Sequence, residues 1–325
     1  MEKNYTLIVP QILKKQRIDK YIAGFIENAS RTKVQKAIDL GYVNVNGEPV
    51  KSNYLVKPGD EIEIELEYPD KQDVLPEDIP LDIVFEDEYL LIINKPAGMV
   101  VHPAYKNYSG TLVNAVMYYA LKKNDTLSSL NGFERAGIVH RLDKDTSGLI
   151  VVAKDEVTHR KLSDQFFHHT IKREYNAIVW GKLKNKKGEI SNKLGRDKRD
   201  RKKVAVLKGD DTLGKTAITL YEVLSEYDFL SLIKLNLKTG RTHQIRVHLA
   251  DLGHPVFGDE TYGGREPHSV ILTSGKKARI RNLLEIMPRQ ALHARLLGFI
   301  HPQTKEELLF ESDLPADMKN IILKL

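Results

Sequence analysis

The chain contains no cysteine. Without a thiolate there is no cysteine nucleophile, no cysteine-based zinc finger and no iron–sulfur ligand, so covalent catalysis would need a hydroxyl, carboxylate, amine or imidazole. A disulfide-stapled scaffold is excluded, and a reducing cytoplasm fits. No stretch approaches ~18 uninterrupted apolar residues, and the opening MEKNYTLIVPQILKKQRIDKY has no apolar run of signal-peptide length. A soluble cytoplasmic protein with no membrane partner is expected. His243 and His248 are five apart, His168 and His169 are adjacent, and no H-E-x-x-H occurs, so a metal site is not expected.

What is present is length and unevenly placed charge. At 325 residues the chain is about twice a typical ~150-residue domain, which predicts two folded units. The net charge is +6, but residues 1–58 carry +5, residues 59–89 carry −12 and the remainder +13. Two basic bodies around an acidic joint suit a protein that touches nucleic acid with two surfaces and keeps its connector off it. Solvated surface charge is the plainer alternative.

Ile18, Tyr21, Ile22, Phe25 and Ile26 recur at helical spacing and predict an amphipathic helix. Ser30 is an N-cap for a second helix from Arg31 to about Leu40, with Val34, Ala37 and Ile38 inward and Arg31, Lys33 and Lys36 exposed. Asn46-Gly47 predicts a hairpin turn, and Glu61–Leu66 an alternating strand. This order over residues 17–66 resembles the S4 RNA-binding domain, which implies an RNA-facing second helix bearing Arg31, Lys33 and Lys36. Pro69, Pro76 and Pro80 punctuate an acidic stretch. The predicted division is therefore an S4-like domain at 1–67, a linker at 68–80 and a second domain at 81–325.

The most informative stretch is Gly137-Ile138-Val139-His140-Arg141-Leu142-Asp143-Lys144-Asp145-Thr146-Ser147-Gly148, followed by the apolar run Leu149–Ala153. A polar loop between two buried strands is rigid enough to aim an acid, although a charged turn would look similar. A predicted helix from Thr242 to Leu252 would put His243 and Arg246 one turn apart on one face, with Arg241 at its start. Arg246 is the preferred cation for keeping a buried Asp143 ionised. A phosphate-binding helix end, or an exchange of roles with Arg241, remains open. Tyr175 falls in an alternating strand, where tyrosine is usually packing.

His140–Gly148 match H-R-L-D-x-x-T-S/T-G, the central motif of the RluA/RluD-type pseudouridine synthases, which this chain resembles. The resemblance continues in Ile93–Pro103, Lys172–Ala177, Thr239–His248 and Gln290–Ala294. With the S4-like unit it spans nearly the whole chain, in a layout nearest the RluD branch, which acts on large-subunit ribosomal RNA. It implies an α+β fold: a small S4-like domain, then a catalytic domain with a mixed, mainly antiparallel β-sheet flanked by helices. It also implies conversion of uridine to pseudouridine in structured RNA without cofactor or metal. Asp143 would be the catalytic carboxylate, acting as nucleophile or as stabiliser of positive charge at the sugar. Arg246 would be its partner and Tyr175 a stacking or proton-transfer residue. Arg141 would fill the gap left by a flipped base, and His140, Arg241 and His243 would contact RNA. A monomer is expected.

Gly209–Thr216 fits the G-x-x-x-x-G-K-T phosphate loop. The following Ala217–Val223 alternates like a strand rather than opening a helix, so no nucleotide cofactor is expected. Residues 182–203 carry eleven Lys/Arg against three acids and predict a basic loop or hairpin suited to RNA phosphates. The rival readings are the same chemistry on another ribosomal uridine or on transfer RNA, and a non-catalytic RNA-binding or ribosome-assembly protein.

Overall fold

The computed structural model describes residues 2–11, 16–26, 29–67, 74–103, 107–197, 199–201, 203–207, 214–267 and 273–325. The chain divides into two compact units, 1–73 and 74–325.

In the first unit, β1 (Glu2–Ile8) precedes α1 (Ile18–Phe25), α2 (Arg31–Asp39), β2 (Val43–Val45), β3 (Glu48–Pro49) and β4 (Glu61–Glu67). The Ser30 side chain accepts from Lys33 N, which caps α2 as its sequence predicts. Asn46 and Gly47 both take positive φ, the requirement of a tight hairpin between β2 and β3. Ile18, Ile22, Val34, Val43, Ile62 and Ile64 form the core. Phe25, expected on the inward stripe, is instead exposed at the helix end, with its ring against Tyr21. Strand β1, absent from the sequence expectation, pairs along β4 from Glu2↔Glu67 to Ile8↔Glu61.

Of the expected linker, residues 68–73 lie outside the described residues. Residues 74–80 are packed chain: Val74 and Ile79 lie on the main core, Glu77 N donates to Asn114 O, and the Glu77 carboxylate accepts from Gly110 N. Proline here shapes a strap, because an extended segment without a ladder needs few backbone donors.

The strands of this unit are β5 (Ile83–Glu86), β6 (Leu90–Lys95), β7 (Ser147–Ala153), β8 (Lys172–Trp180), β9 (Lys187–Arg196), β10 (Val204–Val206), β11 (Lys215–Glu226), β12 (Leu230–Leu237), β13 (Leu292–Ile300) and β14 (Glu307–Glu311). The helices, numbered on from α2, are α3 (Leu112–Lys123), α4 (Glu156–Phe167), α5 (Gln244–Asp251), α6 (Ser274–Ile286) and α7 (Ala316–Leu323). One sheet runs β10-β9-β11-β12-β8-β13-β7-β6-β5, with β14 on β13. Its pairings are antiparallel except β13 with β7. The basic run therefore forms much of the β9–β10 hairpin, with Lys198 and Lys202 outside the described residues. Most of the phosphate-loop match, Gly209–Leu213, also lies outside them, while its Lys215-Thr216 open strand β11.

Both faces of the sheet centre are covered. Leu91 and Ile93 of β6 point into the core with Leu112 and Val116 of α3. Their neighbours Leu90 and Ile92 pack on the other side with Leu162 of α4 and Phe299. A strand covered on both sides reads as an unbroken apolar run, and each such Leu or Ile contributes about 2 kcal/mol. At the parallel junction, Gly148 has φ +116°, and a Cβ there would come 2.2 Å from Ala294 O. The glycine lets β7 and β13 approach where the polar motif ends.

Two histidines are buried as neutral groups. His248 Nδ1 lies 2.9 Å from Thr219 Oγ1, and His293 bridges Ser147 and Ser312 at 2.9 Å each. Burial pushes both down to about 4. As pH falls below 6.5 the unfolded chain binds these protons and the folded chain does not. Their stabilisation is therefore complete above pH 6.5 and lost toward pH 4, by up to about 3 kcal/mol each. Urea unfolding at pH 7.5 and 4.5 is expected to show a clearly lower midpoint at pH 4.5, reduced in part by His248→Gln.

Candidate active site

The polar motif is a loop entering β7. Its first apolar run is not a strand, since Ile138 makes only an isolated bridge to Val152. Two buried cations fix the loop through its backbone. Lys95 is fully buried at the end of β6, and its ammonium donates to Pro96 O, Met99 O and Lys144 O at 2.7, 2.9 and 3.1 Å. Burial pushes this amine down to about 7. Arg289 donates to Asp145 O at 2.9 Å and pairs through Nε with Asp317 at 2.7 Å. Gln290 reaches Thr146 Oγ1, and His293 reaches Ser147 Oγ. The distant segment Gln290–Ala294 is thus the other half of the loop's support.

Asp143 emerges from this frame with its carboxylate about one-fifth exposed. Arg246 Nη1 donates to Asp143 Oδ2 at 3.0 Å. The rest of the guanidinium is clamped by Asp259, which is fully buried, through Nε at 2.6 Å and Nη2 at 2.8 Å. Burial works against the charge on Arg246, but Asp259 and then Asp143 outweigh it and raise its proton affinity. Asp259 is oriented in turn by Thr261 N and Tyr262 N. The Tyr262 ring lies under the Arg246 guanidinium, 5.0 Å from centroid to Cζ.

Helix α5 starts later than the sequence suggests. His243 stands before it in a left-handed conformation (φ +55°). The turn brings its Nδ1 within 2.8 Å of Tyr262 Oη and its Nε2 to 3.8 Å from Asp143 Oδ1. Burial lowers its proton affinity, with Asp143 opposing and Arg246 adding. Arg241 is tied through Nε to Thr216 O, and its backbone N–H to Gln244. Tyr175, on β8, is 8% exposed; burial pushes its phenol up, so it keeps its proton at neutral pH.

A cavity of about 440 Å³ gathers Arg141, Asp143, Arg173, Tyr175, His243 and Arg246 on its walls. His140 and Arg241 also line it. Arg141 is exposed. His140 is committed to the frame, accepting from Val151 N and stacking on Phe166 at 4.4 Å; burial pushes it down to about 3. In the other unit, Lys36 is exposed and Lys33 half-buried. Arg31 donates at 2.9 Å to Asp19, a buried carboxylate that also binds Arg17 and Gln35. The sequence reading missed Asp259, Tyr262 and Lys95. The Gly258-Asp259 and Gly263-Gly264 pairs were the available signal: a Cβ at Gly258 would sit 2.2 Å from Arg289 O, which marks a tight turn holding Asp259.

Asp259→Asn preserves shape but removes the fully buried one of the two carboxylates that balance the Arg246 guanidinium. It is expected to destabilise the fold by roughly 3–5 kcal/mol, read as a lower urea midpoint than for wild type.

Residues 89–251 match the family model for RNA pseudouridylate synthase, and residues 16–62 match the S4 domain. An uncharacterised RNA pseudouridine synthase of Chlorobaculum parvum is 47% identical over 98% of this chain and 97% of its own length. The ribosomal large subunit pseudouridine synthase D of Zymomonas mobilis is 42% identical over 93% of this chain and 92% of its own. The structure of human RNA pseudouridylate synthase domain containing 4 shares the fold: TM-score 0.57 and 24% identity, covering 74% of this chain and 92% of the human one. The chain belongs to the RNA pseudouridine synthases and carries an S4 domain ahead of its synthase domain.

Proposed function

We propose that this enzyme isomerises uridines of large-subunit ribosomal RNA, with Asp143 as the catalytic carboxylate. The observation that carries the reading is the Asp143 carboxylate on the cavity wall, 3.0 Å from a buried arginine. Arg246 fixes the direction of that carboxylate, and the cavity would admit a base that has left its stack. The N1–C1′ bond breaks, the uracil turns, C5 bonds to C1′, the C5 hydrogen leaves as a proton, and the freed N1 takes up a proton, so the product is an isomer. Asp143 acts either as nucleophile at the sugar or as the charge that stabilises a cationic sugar. Tyr175 keeps its proton and offers a ring for stacking or a hydroxyl for proton transfer, while exposed Arg141 fills the vacated stack. His243 and Arg241 complete the cavity's cationic and polar rim.

Large-subunit RNA is favoured by the relatives named as ribosomal large subunit pseudouridine synthase D. Among the described residues no helix is long and apolar enough to cross a membrane, in keeping with work in the cytoplasm. The protein acts as a monomer in this reading. Lys33 and Lys36 of the S4 unit and the β9–β10 hairpin would neutralise phosphates outside the cavity.

Tritium release from large-subunit ribosomal RNA labelled at uracil C5 tests the assignment, with transfer RNA in parallel. Wild type is expected to release label from ribosomal RNA. Asp143→Asn should lose about 10³-fold or more while binding RNA within a few fold. Release from transfer RNA alone would move the substrate, and unchanged turnover in Asp143→Asn would remove the carboxylate from the chemistry. Separately, deleting residues 1–67 is expected to weaken RNA affinity and flatten its salt dependence; an unaltered slope in filter binding would make the S4 unit a passenger.

A further inference from the structure

We propose that the cavity wall formed by the end of α4 and the start of β8 is a second nucleotide subsite, in which Arg173 holds a backbone phosphate and Phe167 stacks the adjoining base. The proposal rests on RNA being the substrate and concerns the nucleotide next to the target uridine.

Arg173 differs from the other cations of the site. Arg246 and Lys95 have their donors engaged by carboxylates or carbonyls. The Nε and Nη2 of Arg173 are buried with no hydrogen-bond partner, and it forms no ion pair among the described residues. The neighbouring carboxylate, Glu174, is taken by Arg295 at 2.8 Å. The guanidinium lies over the Phe166 ring at 5.6 Å, and that ring is itself stacked on His140. On another side Gly240 leaves it space: a Cβ there would fall 2.7 Å from Nη1.

A guanidinium without partners is costly to enclose, and a neutral carbonyl of a base would satisfy its donors without balancing its charge. An anion does both. The planar fork of arginine matches two phosphate oxygens, and RNA brings one phosphate per nucleotide into this cavity.

Phe167 supplies the second half. It is the last residue of α4 and is 77% exposed, whereas Phe166 beside it packs inward. His169 then takes φ +57° and reverses the chain, so that Phe167, His169 and Arg173 all line the cavity that holds Asp143. A lone exposed phenylalanine needs no explanation. One placed beside an unpaired arginine has the alternation of ring and cation that binds single-stranded nucleic acid.

The test uses full-length protein and a short fluorescein-labelled oligouridine, with affinity measured across a salt series. Arg173→Gln is expected to weaken binding about 10-fold and to reduce the slope of log K against log salt by about 0.7, one phosphate's worth on a single strand. Arg173→Lys should keep the slope and recover affinity in part. Phe167→Ala should weaken binding about 5- to 10-fold at unchanged slope, with Phe167→Trp restoring it. On ribosomal RNA the losses should fall mainly in KM. Wild-type slope and affinity in Arg173→Gln would overturn the phosphate contact, and wild-type affinity in Phe167→Ala the stacking. Because binding to oligouridine needs no turnover, an enzyme inactive on ribosomal RNA would sink the substrate assignment without touching the subsite.

Discussion

The synthase unit is organised around one guanidinium. Arg246 is buried between Asp259, which takes two of its nitrogens, and Asp143, which takes a third. A buried arginine with two carboxylates keeps its proton at any working pH, and its planar fork fixes both acids in direction. Asp259 has no exposure and its geometry comes from the Gly258 turn, so it sets where Arg246 stands. Asp143 is partly exposed and receives its position from Arg246 and from its own loop. The asymmetry separates an acid that holds from an acid that is offered.

That loop is held from behind by cations used in an uncommon way. Lys95 gives its donors to the backbone carbonyls of residues 96, 99 and 144, and Arg289, anchored on Asp317 through Nε and Nη2, gives Nη1 to those of 145, 290 and 292. A carbonyl contact fixes the chain without competing for the carboxylate of Asp143, which is left to Arg246 and the cavity while Thr146 and Ser147 help tie the loop down. Support of this kind on strands and pinned turns positions a group more closely than a free loop does.

Local features were legible where a residue's preference and its environment agree. Ser30 capped its helix, Asn46-Gly47 made its turn, and Ala217–Val223 formed a strand although Lys215-Thr216 imitates a nucleotide loop. Arg246, the cation expected beside Asp143 of the 140–148 motif, does donate to its carboxylate. What escaped depends on tertiary partners. Strand β1 has meaning only beside β4. Asp259 is one acid among 44 acidic residues until the fold brings it to Arg246. His140, for which the resemblance implies an RNA contact, lines the cavity while one ring nitrogen accepts from Val151 N, a tie visible only in the fold.

The acidic stretch at 59–89 makes the same point about charge. Read as a run, it suggested a joint that repels RNA. In the fold, several of its members are internal ties. Glu86 accepts from Tyr119, Lys123 and Lys154, which against the opposing effect of burial hold its carboxyl at about 2. Asp87 accepts from Tyr89 N and Leu90 N and contacts His301. These acids spend their charge on the edge strand β5 and the turn that feeds β6. A sum of charges along the chain therefore overstates what RNA meets, because paired charges are neutral to a polyanion at a distance. The charges that count for binding are those the fold leaves unmatched, and by that criterion Arg173 weighs more than its one unit in +6 suggests.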